Sequence, residues 1–421
     1  MQILYTVGIY LYQFGLGLAA PFHAKARAWV QGRRGLFEQL KTKLSTENQR
    51  PMAWFHAASL GEFEQGRPLI EAFRTRYPDY RIVLTFFSPS GYEIRKNYAG
   101  VDLVSYLPAD TPANARQFLD LVSPQVAFFI KYEFWHNHIT ELHARQIPVF
   151  SVASIFRADQ VFFGQSKYFF WTRFFQSTLQ KFTHHFVQNQ ESVRLLRSIG
   201  IDNTILAGDT RFDRVQQLAA VRKVVPVVAD FKKKQPALIV GSTWEADMQV
   251  IIPFLNQFSE PLKIIIAPHE INAEEIENWQ KQIRLKSIKY SEILDSKPID
   301  PNLQVLFIDN IGLLSSLYQY ADFAYVGGAF GKGLHNILEA ATFGLPLIFG
   351  NKNYQKFQEA NDLVALGGAF VVKDTDELTA TFNELYHNAN RPKSIREITQ
   401  KYVDDHTGAT QIVLDTTARW L

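Results

Sequence analysis

Short apolar runs of three to six residues, each followed by an amphipathic stretch, recur along this chain in two successive series. In the first, Ala53–His56, Arg81–Phe86, Leu103–Tyr106, Val126–Ile130, Pro148–Val152 and His185–Val187 read as strands, with helical patterns such as Gly66–Arg76 and Asn189–Ile199 between them. The runs are continuously apolar rather than alternating. A strand must be apolar on both faces when helices cover both sides of its sheet, as in parallel α/β folds. The pattern weakens across residues 220–235, where Lys232, Lys233 and Lys234 form a polar seam, and then restarts with Ala237–Val240, Leu262–Ile266, Gln304–Ile308, Phe323–Val326, Pro346–Phe349 and Gly368–Val371. This predicts two successive doubly wound parallel-sheet domains with a cleft between them, over 25–207 and 208–421. The last helix is allowed to pack back on the first domain. An apolar share of 47% with 20% charged residues suits such globular units and excludes a disordered chain or a polytopic membrane protein.

Residues 1–24 stand apart. They contain no Asp, Glu, Lys or Arg, and Ile3–Phe22 is almost wholly apolar, the length a bilayer-crossing helix requires. Lys25, Arg27, Arg33 and Arg34 follow the apolar run, whereas a cleavable signal peptide carries its charge first. The expectation is a retained membrane anchor with the remaining chain on the cytoplasmic side. Gln2, Thr6, Tyr10 and Gln13 share one helix side, so an interfacial helix is equally allowed. Across Val161–Gln176, eight of sixteen residues are Phe, Tyr or Trp, with Lys167 and Arg173 interleaved. That stretch reads either as a buried helix or as a surface meeting lipid and its phosphate. A net charge of only +3 argues against nucleic acid, and the absence of cysteine excludes disulfides, thiolate metal sites and thiol nucleophiles.

Two segments could carry chemistry. In the first, a strand ends in His56-Ala57-Ala58-Ser59-Leu60-Gly61-Glu62, a small-residue turn that opens a helix. Ligands of doubly wound sheets bind at such carboxyl ends. Glu62 reads either as a first-turn carboxylate complementing the helix dipole or as a general base taking a proton from an acceptor hydroxyl. Ser59 and Gly61 line the same turn. In the second, Phe323–Val326 runs into a loop with Gly327, Gly328, Gly331 and Gly333, then a helix expected to carry Asn336 and Glu339 on one face. Glycines let a backbone approach a phosphate, and the helix start would add its positive end. Ser242 and Thr243 end another strand, and Pro268-His269 a third, all pointing to the same cleft. Asp374-Thr375-Asp376 resembles an Asp-x-Asp metal site but precedes an amphipathic helix, where an Asp N-cap is the simpler reading. No metal constellation is evident.

Taken in order, these segments resemble the Kdo transferases, enzymes that move 3-deoxy-D-manno-octulosonic acid from CMP-Kdo to a lipid A precursor in lipopolysaccharide inner-core synthesis. His56–Glu62 is similar to the family's His-x-x-Ser-x-Gly-Glu motif, which implies that Glu62 is the base. The segment Val326–Gly350 is similar to the family's glycine-rich His-Asn-x-x-Glu run. The resemblance implies that Asn336, Ile337, Leu338 and Glu339 hold the CMP moiety together with Pro268, His269, Ile311, Gly312 and Leu313. Two departures stand out: the arginine usual between Pro268 and His269 is missing, and Leu313 replaces a usual glutamate. Arg211 occupies a usual lysine position and preserves the cation, with Arg157 as a further candidate for charge neutralisation. The resemblance implies two Rossmann-like domains of the GT-B type, inverting transfer without metal or cofactor, CMP-Kdo and lipid A precursor as partners, no nucleic acid, and the cytoplasmic face of the inner membrane as location. Two other readings stay open. One is a GT-B transferase using a UDP-sugar and a lipid acceptor; the other is a non-catalytic, membrane-anchored sugar-nucleotide sensor.

Overall fold

The computed structural model describes residues 1–44, 50–164, 169–221, 223–295, 299–388 and 390–421. They form two compact units, Met1–Arg214 with Thr407–Leu421, and Val215–His406. In the first unit the strands are β1 (Met52–Ala57), β2 (Arg81–Phe86), β3 (Leu103–Tyr106), β4 (Val126–Ile130), β5 (Val149–Ser154), β6 (His184–Val187) and β7 (Thr204–Leu206). They pair in the order β3-β2-β1-β4-β5-β6-β7, every pairing parallel. In the second unit β8 (Ala237–Thr243), β9 (Lys263–Pro268), β10 (Ser287–Lys289), β11 (Val305–Phe307), β12 (Phe323–Val326), β13 (Leu347–Gly350) and β14 (Ala369–Val372) pair as β10-β11-β9-β8-β12-β13-β14, again all parallel.

Adjacent residues of β1 explain the continuous apolar runs. Phe55 packs with Phe73, Phe128 and Phe150 on one side of the sheet, while Trp54 packs with Phe118 and Phe129 on the other. Both are fully buried, each contributing about 1.5–3 kcal/mol. The Trp54 indole N–H, which must find an acceptor when buried, donates to Thr85 Oγ1 at 2.8 Å.

The sequence pattern missed β7 and β10. Both are three-residue edge strands left half-buried or exposed, so no apolar run marks them. The change of unit falls after Arg214 rather than at 207/208. Thr210 Oγ1 donates to the Gln65 carbonyl (2.6 Å) and Asp213 accepts from the backbone N–H groups of Gly408 and Thr410 (2.6 and 2.7 Å). These bonds hold residues 209–214 and the start of the helix Ala409–Thr417 to the first unit. Val413 and Leu414 of that helix join the core layer of Phe55 and Phe128.

At the N-terminus, Gln2–Ala19 forms a helix with no buried residue. No helix among the described residues is long and apolar enough to cross a membrane. Eighteen residues at 1.5 Å each span about 27 Å, short of a hydrocarbon core of about 30 Å, and Gln2, Thr6 and Gln13 lie within them. The bilayer-crossing form of the expected anchor therefore has no helix to carry it among these residues. One side of the helix holds to the first unit through Tyr5, whose hydroxyl donates to Asp110 Oδ2 at 2.7 Å, and through Tyr12 against Trp29 and Phe87. Ile3, Val7, Leu11, Phe14 and Leu18 stay exposed, Phe14 at 66%. Their spacing of four, four, three and four residues puts them on one helix face.

The aromatic stretch divides between its two readings. Phe162 and Phe174 are buried, Phe174 in ring contact with Tyr5 at 5.4 Å, whereas Phe170 is 72% exposed and Arg173 is exposed. Lys167 lies outside the described residues.

Candidate active site

In each sheet the strand order reverses at its first strand, β1 or β8, and a ligand of such a fold sits at the carboxyl ends flanking that reversal. In the first unit these are the ends of β1 and β4.

Glu62 lies in the first turn of the helix Leu60–Arg76, just past β1. The Ser59 backbone N–H and hydroxyl both donate to Glu62 Oε2, at 2.9 and 3.3 Å. The carboxylate thus has the capping role that its position suggests, and that role orients it. Oε2 is occupied, and Oε1 accepts no hydrogen bond from the described residues. Burial, and then the nearby Glu133 carboxylate, push Glu62 up to about 6, against the lowering effect of the Ser59 bonds and Lys131. A cap on an exposed helix would show no such rise. Gly61 is exposed, with open space where a side chain would stand.

Glu133, which sequence reasoning missed, follows β4. Its Oε2 accepts from the Trp135 indole N–H (2.7 Å) and lies 3.1 Å from His56 Nε2. His56 is fully buried, and burial holds it below its ordinary pKa, hence neutral. One assignment satisfies every donor. Trp54 Nε1 donates to Thr85 Oγ1, the Thr85 hydroxyl donates to His56 Nδ1 at 2.8 Å, and His56 Nε2–H donates to Glu133. Fully buried and bonded at both ring nitrogens, the histidine in this tautomer holds Glu133 in place. The available signal was Lys131-Tyr132-Glu133 immediately after the strand predicted over Val126–Ile130.

Cations gather at the same place. Lys131, with φ +65° just past β4, is lowered by burial and then by Arg211, with Asp209 and Glu62 opposing and Arg157 adding. Arg211 Nε donates to Asp209 Oδ2 at 2.8 Å, and Arg157 reaches the Tyr132 hydroxyl at 3.4 Å. Arg211, assigned from sequence to the second domain, belongs to the first unit. A carboxylate with the half-buried Lys131 and Arg211 and the exposed Arg157 near it can take a proton while an anionic group is held beside it.

In the second unit the flanking ends are those of β8 and β12. Gly327 N–H donates to the Gly241 carbonyl (2.8 Å), and a Cβ on Gly327 would stand 2.8 Å from Thr243 Cα and 2.9 Å from Asp247 Oδ2, so only glycine fits there. Asp247, fully buried, pins the loop: Oδ2 accepts from the Trp244 and Gly328 N–H groups, both at 2.9 Å, and Oδ1 from the Tyr325 hydroxyl at 3.0 Å. Ser242 has φ +54°, and the Thr243 hydroxyl, 1% exposed as a residue, has no hydrogen-bond partner among the described residues. His269, at the end of β9 beyond Pro268, stacks on His335 with centroids 4.1 Å apart.

The helix expected to present Asn336 and Glu339 is a single turn, Leu338–Ala341, closed by the turn at Phe343-Gly344 before Pro346. It is too short for a macrodipole, and Asn336 precedes it. The two residues still meet, Asn336 Nδ2 donating to Glu339 Oε1 at 3.3 Å, whereas Ile337 and Leu338 are core side chains. Leu313 is 8% exposed and packs inward, Gly312 is exposed, and Ile311 beside it is 90% exposed. Asp374 caps the helix Thr375–His387, accepting from the Glu377 N–H at 2.9 Å. Among the described residues no three His, Asp or Glu side chains are grouped as a metal site needs.

Residues 30–214 match the family model described as 3-deoxy-D-manno-octulosonic-acid transferase. The 3-deoxy-D-manno-octulosonic acid transferase of Rickettsia felis is 27% identical over 89% of this chain and 80% of its own length. That of Aquifex aeolicus is 26% identical over 83% and 91%. Among solved structures, UDP-GlcNAc 2-epimerase from Neisseria meningitidis aligns over 87% of this chain and 100% of its own, with TM-score 0.60 and 13% identity. MurG of Acinetobacter baumannii aligns over 88% and 99%, with TM-score 0.56 and 12% identity. At such identities the likeness is one of fold, two parallel-sheet α/β domains of GT-B type.

Proposed function

We propose that this chain, a glycosyltransferase related to the Kdo transferases, transfers Kdo from CMP-Kdo to a hydroxyl of a lipid A precursor, with inversion and with Glu62 as general base. The observation that carries the assignment is Glu62 itself: one oxygen pinned by Ser59, the other without a partner among the described residues, and the pKa raised to about 6. A base with that pKa is ionised at neutral pH yet still accepts a proton readily.

In the reaction Glu62 Oε1 takes the proton of the acceptor hydroxyl as its oxygen bonds to the anomeric carbon of Kdo. The bond from that carbon to the phosphate oxygen breaks, and its electron pair leaves with CMP. Lys131, Arg157 and Arg211 supply positive charge beside Glu62. They suit the Kdo carboxylate or an acceptor phosphate, and charge placed in advance of the reaction is the largest source of rate enhancement in such sites. In the second unit the glycine loop, His269, Asn336 and Glu339 would hold CMP. Isothermal calorimetry with CMP and UMP, followed by mass spectrometry of lipid A precursor incubated with CMP-Kdo, tests the reading. CMP should bind in preference and the precursor should gain the mass of Kdo; preference for UMP, or an unchanged precursor, would overturn it.

The pH profile follows from the Glu62 environment. The base works ionised, so kcat/KM should fall as pH drops through about 6. Glu133→Gln removes the negative neighbour that helps raise the pKa and should move this acid limb to lower pH. A limb that stays in place would mean that the two carboxylates are not coupled.

The N-terminal helix would lie in the membrane interface, the exposed stripe Ile3, Val7, Leu11, Phe14 and Leu18 entering the bilayer. Replacing Ile3, Leu11 and Phe14 with aspartate should abolish co-sedimentation with phospholipid vesicles, since each such side chain contributes about 1.5–3 kcal/mol on burial. Undiminished sedimentation would refute this placement.

A further inference from the structure

The second unit leaves open what meets the phosphate of a nucleotide donor. No arginine separates Pro268 from His269, and Leu313 is turned into the core. The rings nearest the glycine loop carry no charge either. Trp244 Nε1 donates to His335 Nε2 at 2.9 Å, so that nitrogen is an acceptor and the ring is neutral. Burial, and then His269, hold His335 down at about 4, while burial lowers His269. Trp244, His269 and His335 thus form an uncharged stack, with centroids 4.7 Å apart for Trp244 and His269 and 4.1 Å for the two histidines.

One lysine lies over this stack and another reaches Gly333 of the same loop. Lys332 Nζ lies 3.6 Å from the centroid of the Trp244 ring, a cation–π contact that fixes it over the stack. Lys356 comes from the other direction: a Cβ built on Gly333 would stand 3.0 Å from its Nζ and 3.4 Å from its Cε. Gly333 itself has φ +130°, a conformation that a side chain would strain. Neither lysine makes an ion pair among the described residues; Lys332 lies over the Trp244 ring and Lys356 over the Phe357 ring. Both side chains are exposed and open to an anion seated at the glycine loop, where Thr243, close against Gly327, has a buried hydroxyl with no partner among the described residues.

We propose that Lys332, over Trp244, and Lys356, against Gly333, hold the phosphate of the nucleoside-monophosphate donor and so replace the cation missing after Pro268. The assignment rests on the donor being a CMP-sugar. The glycine is required there because a side chain would displace Lys356 from the phosphate.

Comparing CMP with cytidine by calorimetry isolates the phosphate, since the two differ in nothing else. On the full chain, wild type should prefer CMP to cytidine. Lys332→Met and Lys356→Met should each reduce that preference about 10–100-fold, as expected for a lost charge-assisted hydrogen bond, and the double variant should abolish it. Methionine keeps an unbranched stem against Trp244 and Phe357, so thermal melting should not change, and the arginine variants should retain most of the preference. A double methionine variant that still prefers CMP over cytidine as wild type does would overturn the assignment. If wild type binds UMP rather than CMP, the functional reading fails separately, and the ratio of UMP to uridine in the same variants then decides the role of the lysines.

Discussion

Glu62→Gln is expected to lower kcat/KM by about 10²–10⁴-fold, the contribution of a positioned general base, in a protein that folds and melts as wild type does. The fold should survive because the amide oxygen of glutamine can still accept from the Ser59 N–H and hydroxyl that now bind Oε2. Glutamine and glutamate serve equally at that position of a capping box. What the substitution removes is the proton acceptor alone. If Glu62 were only a cap, the opposite pattern would appear: little change in rate for Glu62→Gln, and for Glu62→Ala a loss of stability of about 0.5–2 kcal/mol. Transfer assays at saturating donor, paired with thermal melting of each variant, separate the two roles. Full activity in a folded Glu62→Gln protein would remove the base assignment. Ser59→Ala provides a graded control. It deletes the 3.3 Å bond and keeps the 2.9 Å backbone bond, and since that bond lowers the pKa of Glu62, the acid limb should move to higher pH with a smaller loss of rate.

The parts of this site that were legible in the sequence are those made by local backbone. Glu62 and the glycine loop each follow a strand whose apolar run is unmistakable, because β1 and β12 are buried on both faces. Glu133 was not legible. It acquires its meaning only from the pairing of β4 with β1, where Phe55 is opposite Phe128 and His56 opposite Phe129, which brings it to His56 across 77 residues of sequence. The same limit explains Arg211. Its sequence position suggested the second domain, but the bonds from Thr210 to the Gln65 carbonyl and from Gln65 to Asp209 hold its neighbours to the first. Helix length after the glycine loop was misjudged for a different reason. Asn336 and Glu339 do have helical spacing, yet the turn at Phe343-Gly344 ends the helix after one turn, and the contact between them is made by a loop residue reaching a helix residue. The edge strands β7 and β10 lacked a signal because half-burial demands no apolar run.

Asp247→Ala is expected to be the most damaging single change in the second unit, costing about 3–9 kcal/mol, because three donors lose their acceptor at about 1–3 kcal/mol each. These are the Trp244 and Gly328 N–H groups and the Tyr325 hydroxyl. At about 2–4 °C per kcal/mol for a unit of this size, the melting transition should fall by about 6–36 °C, and CMP binding should be lost as the Gly327–Gly328 turn comes free. Burial, the largest influence on this carboxyl, raises its pKa despite the three donors. Ionisation is therefore disfavoured in the folded state, and the charge itself adds nothing to stability. What Asp247 contributes is geometry: one oxygen ties the start of the helix Glu245–Gln257 to the turn after β12, the other ties both to Tyr325. Asparagine can reproduce that arrangement. Its oxygen would take the place of Oδ2 before the two N–H groups, and its amide nitrogen would donate to the Tyr325 oxygen, which can accept as well as donate. Asp247→Asn should accordingly melt within a few degrees of wild type and still bind CMP. An asparagine variant as damaged as the alanine variant would show that the charge is what holds the loop; an alanine variant that melts as wild type would show that the loop is held by something else.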